Sequence, residues 1–253
     1  MFFFFGDVRP TRRLLSGGQG TCDKSATFEI LKVGQRVRLP PRLEKLFPAC
    51  IRRVGVDGDG SCLFHAIAAA QHGKPMPKSE GHKIRKGIAR WATLKNFRDG
   101  WLSYEKNLKT IDLELPRKED DASWQRKLDD FKDKMMDMSV WADLTMIPFV
   151  MVALNVNLVF FDGEDIYCSV HYYNAKRNTI FIAWSERCHF EVVMCSATNQ
   201  TASPATSTYN GTSQEFYPGY FPPTIAKKVM QQYNKTCRHK IEEIFDGGQF
   251  TVW

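Results

Sequence analysis

The stretch CLFHAIAAAQ at 62–71 offers almost no polar face to water. Its Ala-rich, Leu- and Ile-containing run predicts a helix, and a helix that is apolar nearly all round has to be buried. It is entered from VDGDGS at 56–61, two Asp-Gly pairs that predict a tight loop. Glycines there are expected to adopt positive φ and to let backbone amides approach a ligand.

Other elements follow by periodicity. A second helix is expected over Ser79–Phe97, where Ile84, Ile88, Trp91 and Leu94 keep helical spacing. A third covers Ala122–Met138, with Trp124, Leu128, Phe131, Met135 and Met138 recurring at four and three between charges. That Met and aromatic stripe reads as core. Val140–Leu154 reads as a further buried helix, with Pro148 either kinking it or opening its second half. Strands are expected at about 157–161, 166–173, 179–184 and 189–194, with NAKRN as a turn. Helices grouped before and around one sheet give an α+β class.

The domain is expected at 46–196. Ahead of it lies a basic arm, 1–45, with a short strand near Phe28–Val37 and a break at Pro40-Pro41. Behind it, 197–223 is a Ser/Thr/Pro-rich linker with too little apolar content to fold alone, followed by a helix from Thr224 to Phe245 within a final segment 224–253. The net charge of +7 sits wholly in residues 1–56, which hold eleven basic against four acidic residues. Such an arm suits nucleic acid, an anionic membrane face or an acidic protein, and equally a solvated tail.

With 43% hydrophobic and 25% charged residues the balance is that of a soluble globular chain, expected to be a monomer. No run reaches the ~20 apolar residues of a spanning helix. MFFFF, with Asp7 close behind, is too short for a secretory core, and the same acidic residue argues against an organelle presequence. The Asn-x-Thr triplets at Asn199, Asn210 and Asn234 then read as chance. Seven scattered cysteines with no CxxC pair argue against a zinc or disulfide framework and for a reducing compartment, cytoplasmic or nuclear. No metal and no cofactor is expected.

Cys62 falls at the first turn of the buried helix, at the positive end of its dipole, which favours thiolate. The Cys62 amide and those around Asp59 and Gly60 are candidate oxyanion donors. A lone Cys on an apolar helix is ordinarily structural. A thiol nucleophile also needs a base held by a third group. His189 opens the last strand, and strand alternation puts Glu191 on its face, two residues away, as a candidate orienter. The other histidines, His65, His72, His82, His171 and His239, stand without a comparable partner and read as packing or surface.

Asp59-Gly60-Ser61-Cys62-Leu63-Phe64 followed by Ala66 resembles the nucleophile motif of the ovarian tumour (OTU) cysteine proteases. Trp141 with the apolar segment after it resembles their middle block, and Arg187-Cys188-His189-Phe190-Glu191 their terminal histidine block. The three blocks come in the family's order between about Ile51 and Cys195. The resemblance implies a papain-like fold and a thiol isopeptidase that removes ubiquitin or a ubiquitin-like modifier from proteins. Cys62 would be nucleophile, His189 base and acid, and Asp59 the residue shaping the oxyanion loop. Family members usually carry Asp or Asn where Glu191 stands, one methylene shorter. Three other readings stand beside it: a silent OTU-like module that binds ubiquitin or another partner, a protease processing a viral or mobile-element polyprotein, and a nucleic-acid-associated protein in which the basic arm matters most. The last lacks any zinc, aromatic RNA-binding or helix-turn-helix pattern.

Overall fold

Near-continuous apolar runs such as LVFF at 158–161 and IFIA at 180–183 belong to strands covered on both faces, and the computed structural model has them so. It describes residues 28–48, 51–98, 120–142, 146–163, 165–168, 174–186, 188–195, 206–209, 212–215, 219–236 and 242–243. The strands are β1 (Arg36–Arg38), β2 (Ile51–Val54), β3 (Asn157–Asp162), β4 (Asp165–Cys168), β5 (Thr179–Ser185), β6 (His189–Cys195), β7 (Thr206–Tyr209), β8 (Thr212–Glu215) and β9 (Glu242–Glu243). The helices are α1 (Pro41–Glu44), α2 (Cys62–His72), α3 (Lys78–Trp91), α4 (Asp121–Met136), α5 (Ile147–Leu154) and α6 (Pro223–Thr236). A mixed sheet runs β1-β2-β6-β5-β3-β4-β9, with β3 parallel to β5 and β5 antiparallel to β6. The class is α+β, as expected.

Strand alternation sorts the side chains into two layers. Leu158, Phe160, Ile180, Ile182, Phe190 and Val192 face α2 to α5. Val159, Phe161, Phe181, Ala183 and Val193 face the other way, toward Phe28, Leu39, Leu43, Phe47 and α6. Each fully buried aliphatic or Phe side chain contributes roughly 1.5–3 kcal/mol, so both layers hold the sheet. The second layer corrects the expected boundaries. Residues 28–45 are core through Phe28, Leu39 and Leu43, and α6 is core through Ala226, Val229, Met230 and Tyr233. Neither is an appendage. The stretch expected as a linker carries a hairpin, β7 with β8, in register Tyr209 to Thr212. Asn210-Gly211 between them is the strongest short hairpin signal, which a reading by composition overlooks.

Helix ends differ from expectation where capping decides. Helix α2 stops at Gly73, whose φ of 70° is the left-handed cap only Gly takes freely. Helix α4 starts on Asp120, whose carboxylate accepts from the Ser123 amide at 2.7 Å. Helix α5 starts at Ile147, not Val140: Pro148 sits in its first turn, where a missing N–H costs nothing. Helix α3 ends at Trp91, short of Phe97. The latter part of the expected strand at 166–173 lies outside the described residues, as do residues 1–27 of the basic arm, and the final helix, expected to reach Phe245, is replaced at Glu242–Glu243 by β9, which pairs with β4. No helix among the described residues is long and apolar enough to cross a membrane.

Candidate active site

The site is built where β2 runs out at Val54 and the chain crosses the open end of β6 before turning back as α2. Because β2 pairs antiparallel with β6, ending Val54 against Val192, the next residues pass the start of β6. The Val56 carbonyl thus lies against the His189 ring. A Cβ built on Gly58 would stand 3.7 Å from His189 Cε1 and 3.8 Å from Nδ1. The loop then delivers Cys62 to the first turn of α2, where its sulfur is reached by the backbone N–H of Phe190, the residue after His189. The two residues predicted for nucleophile and base, far apart in sequence, are brought to one place.

The thiol is not the pre-ionised group expected at a helix N-terminus. Cys62 is only 2% exposed, and burial pushes its pKa up to about 11, against the helping amides of Phe190 and Leu63. Desolvation outweighs the dipole. Burial likewise holds the His189 imidazole below its ordinary value, with the Val56 carbonyl pulling the other way. His189 Nε2 is buried and has no hydrogen-bond partner among the described residues. A neutral thiol at the amide that follows a neutral imidazole with an unused nitrogen suits general-base chemistry rather than an ion pair.

Glu191 does not orient His189. Its Oε1 accepts the Leu31 N–H at 2.6 Å, and Arg53 Nε stands 3.2 Å from Oε2, close enough for an ion pair though outside hydrogen-bond geometry. The carboxylate turns instead toward the lead-in at 28–31, where Arg53 also lies over the Phe28 ring at 4.6 Å. Both partners are nearly solvent-free. Burial pushes Glu191 up and Arg53 down, so their attraction offsets desolvation only in part. Glu191 anchors the 28–31 lead-in behind β6. What touches the imidazole instead is the Val56 backbone.

Asp59 shapes the loop through its side chain. Oδ1 accepts the Ser61 N–H at 2.8 Å and lies 2.9 Å from His65 Nε2. Burial raises this carboxyl, and the Ser61 amide with His65 and His82 outweighs it, so the net shift is downward. The expected oxyanion donors are only partly free. The Cys62 N–H is spent on the Asp59 carbonyl at 3.1 Å, while the Asp59 and Gly60 amides have no acceptor among the described residues. Gly58 and Gly60 do not adopt the expected positive φ. Gly60 is needed for space, since a Cβ there would come 2.6 Å from the Met138 carbonyl and 2.9 Å from that of Val140.

Sequence reasoning missed Arg85. Fully buried on α3, it donates to the Gly60 carbonyl and Ser61 Oγ at 3.0 Å each, and to the carbonyls of Lys134 and Val140 at 2.6 and 2.8 Å. One guanidinium fork clamps the loop before Cys62 to the 134–140 turn. The signal was Gly81 four residues earlier, on the same face of α3, where a Cβ would collide with His65. His65 and His82 were also read too lightly, because both converge on Asp59. Trp141 of the middle block is 53% exposed, and the next residue donates its N–H to the Gly60 carbonyl. An aromatic therefore stands beside the loop.

No family model and no curated relative matches the chain. Among solved structures, an ovarian tumour domain in complex with ubiquitin is 16% identical, with a TM-score of 0.38 over 81% of this chain and 98% of that one. The viral OTU domain protease of Dera Ghazi Khan virus is 15% identical, with a TM-score of 0.37 over 64% and 87%. An OTU deubiquitinase of Wolbachia pipientis wMel is 14% identical, with a TM-score of 0.34 over 57% and 88%. All three are OTU domains. With TM-scores below 0.5 these likenesses decide nothing by themselves, and function has to be argued from Cys62, His189 and the loop between β2 and α2.

Proposed function

We propose that the chain is an OTU-type thiol isopeptidase that cleaves the bond after the C-terminal glycine of ubiquitin or a ubiquitin-like modifier. The observation that carries this reading is the Cys62 sulfur at the Phe190 amide, one residue past an imidazole whose Nε2 is unused. In the forward step the sulfur attacks the isopeptide carbonyl and its proton passes to His189. The protonated imidazole then gives that proton to the departing lysine amine, leaving a thioester on Cys62. Water, deprotonated by His189, attacks the thioester and releases the modifier's carboxylate and the thiol. The free amides of Asp59 and Gly60 would hold the oxyanion in both steps.

A ubiquitin probe with an electrophilic C-terminus tests this. Single-site labelling is expected, abolished in Cys62→Ala and slowed by about 100-fold or more in His189→Ala, the size general-base catalysis ordinarily contributes. Labelling that persists in Cys62→Ala removes the nucleophile. A chain that binds ubiquitin while Cys62 stays unlabelled is the silent module, the reading that the raised thiol pKa favours.

A further inference from the structure

Three potential metal ligands meet one turn away from the nucleophile. Asp59 comes from the loop, His65 from α2 and His82 from α3, and their ligand atoms all lie within 4.8 Å of one another. His65 Nε2 is 2.9 Å from Asp59 Oδ1, and His82 Nε2 is 3.5 Å from Asp59 Oδ2. The His82 nitrogen is buried and has no hydrogen-bond partner among the described residues, despite that short approach to a carboxylate. Two nitrogens and one oxygen bound to a tetrahedral ion at about 2.0–2.1 Å stand roughly 3.4 Å apart; the two imidazoles approach different oxygens of Asp59, at 2.9 and 3.5 Å, and from within 4.8 Å they need to draw in on one ion by about an ångström or less.

We propose that Asp59, His65 and His82 bind one divalent transition-metal ion of the zinc class. The donor set, two imidazoles and a carboxylate, suits zinc and its borderline neighbours rather than magnesium or calcium. His65 is held rigidly, its side chain 2% exposed and its other ring nitrogen packed against Gly81. Asp59 and His82 are each about a quarter exposed, which gives the ion a path in and leaves a fourth position to water. The spot already attracts a cation. Lys78 Nζ lies 3.8 Å from Asp59 Oδ2 and 3.5 Å from Asp57 Oδ1, and being half exposed it swings away as the ion enters. No short-spacing motif announces this site, because its ligands come from three elements.

The binding does not depend on the isopeptidase reading, and its test leaves the nucleophile out. The full chain carrying Cys62→Ala is titrated with Zn²⁺ against a chromophoric chelator, with the remaining thiols alkylated. One equivalent is expected to bind and to raise the melting temperature. Adding His82→Gln is expected to weaken binding by more than the 10- to 100-fold that loss of an outer partner costs, while His72→Gln, at the exposed end of α2, leaves it unchanged. To separate lost binding from lost fold, each variant is checked for a cooperative melt without metal, and Co²⁺ replaces Zn²⁺ in a second measurement. The visible band of low-coordinate cobalt is expected in Cys62→Ala and absent when His82→Gln is added. No binding to Cys62→Ala, or equal binding with and without His82, overturns the proposal.

Discussion

At Cys62 and His189, burial decides the protonation states and hence the pH dependence. The thiol is pushed up to about 11 and the imidazole held below its ordinary 6.5, so between those limits both groups are neutral. Acid protonates His189 and removes the base, whereas alkali removes nothing the reaction needs until the thiol itself ionises. The expected profile for cleavage of a fluorogenic ubiquitin substrate therefore has an acid limb below pH 6.5 and no alkaline limb up to at least pH 9. Alkylation of Cys62 should likewise keep accelerating past pH 9, as the thiolate fraction grows. A pre-formed thiolate–imidazolium pair predicts the reverse: alkylation that is already level at neutral pH, and activity that falls when the imidazolium loses its proton. Either result would show that the buried thiol has a cation beside it.

Among the elements, the loop at 56–61 carries most of the function and was only partly legible. Its Asp-Gly-x-Cys pattern marked the place, and the apolar runs at 62–71, 157–162 and 189–195 marked the helix and strands around it. The partners of those residues were not legible. Glu191 pairs with an amide 160 residues away, Gly60 with an arginine 25 residues on, and no local period encodes such contacts. The two kinds of glycine separate experimentally. Gly60→Ala sets a Cβ against two backbone carbonyls that cannot rotate aside, and is expected to cost about 1–3 kcal/mol, the range of an overpacked core, together with a slower labelling rate. Gly87→Ala on α3 meets nothing within 4 Å among the described residues and is expected to gain roughly 0.5–1 kcal/mol of helix stability. Urea titration of both variants measures the pair, and a Gly60→Ala chain as stable and reactive as the parent would mean the loop has slack.

Across the whole molecule, the question is how much chain one domain needs. Periodicity placed the end of the compact unit near Ser196 because the Ser/Thr-rich stretch after it has no core of its own, but the sheet has two faces and α2 to α5 cover one. The other face, with Phe161, Phe181 and Val193, is shared by the 28–47 lead-in and by residues that come later: Phe221, whose ring lies 5.0 Å from that of Phe181, and Ala226, Val229, Met230 and Tyr233 of α6. Tyr233 also accepts the Ile166 N–H through its hydroxyl at 3.3 Å. Val229 and Met230 alone stabilise by roughly 1.5–3 kcal/mol each, and removing the segment also strips cover from the sheet's aromatics. With Phe221 and Tyr233 at the same rate the four side chains reach roughly 6–12 kcal/mol, comparable to the roughly 5–15 kcal/mol that holds a whole domain together. Truncation after Ser196 is therefore expected to leave a chain with no cooperative thermal transition and no probe labelling, whereas Tyr233→Phe, which gives up one hydrogen bond, costs only about 1 kcal/mol and keeps both. Circular dichroism melts of the two chains discriminate, and a truncated chain that still unfolds cooperatively would return α6 to the status of an appendage.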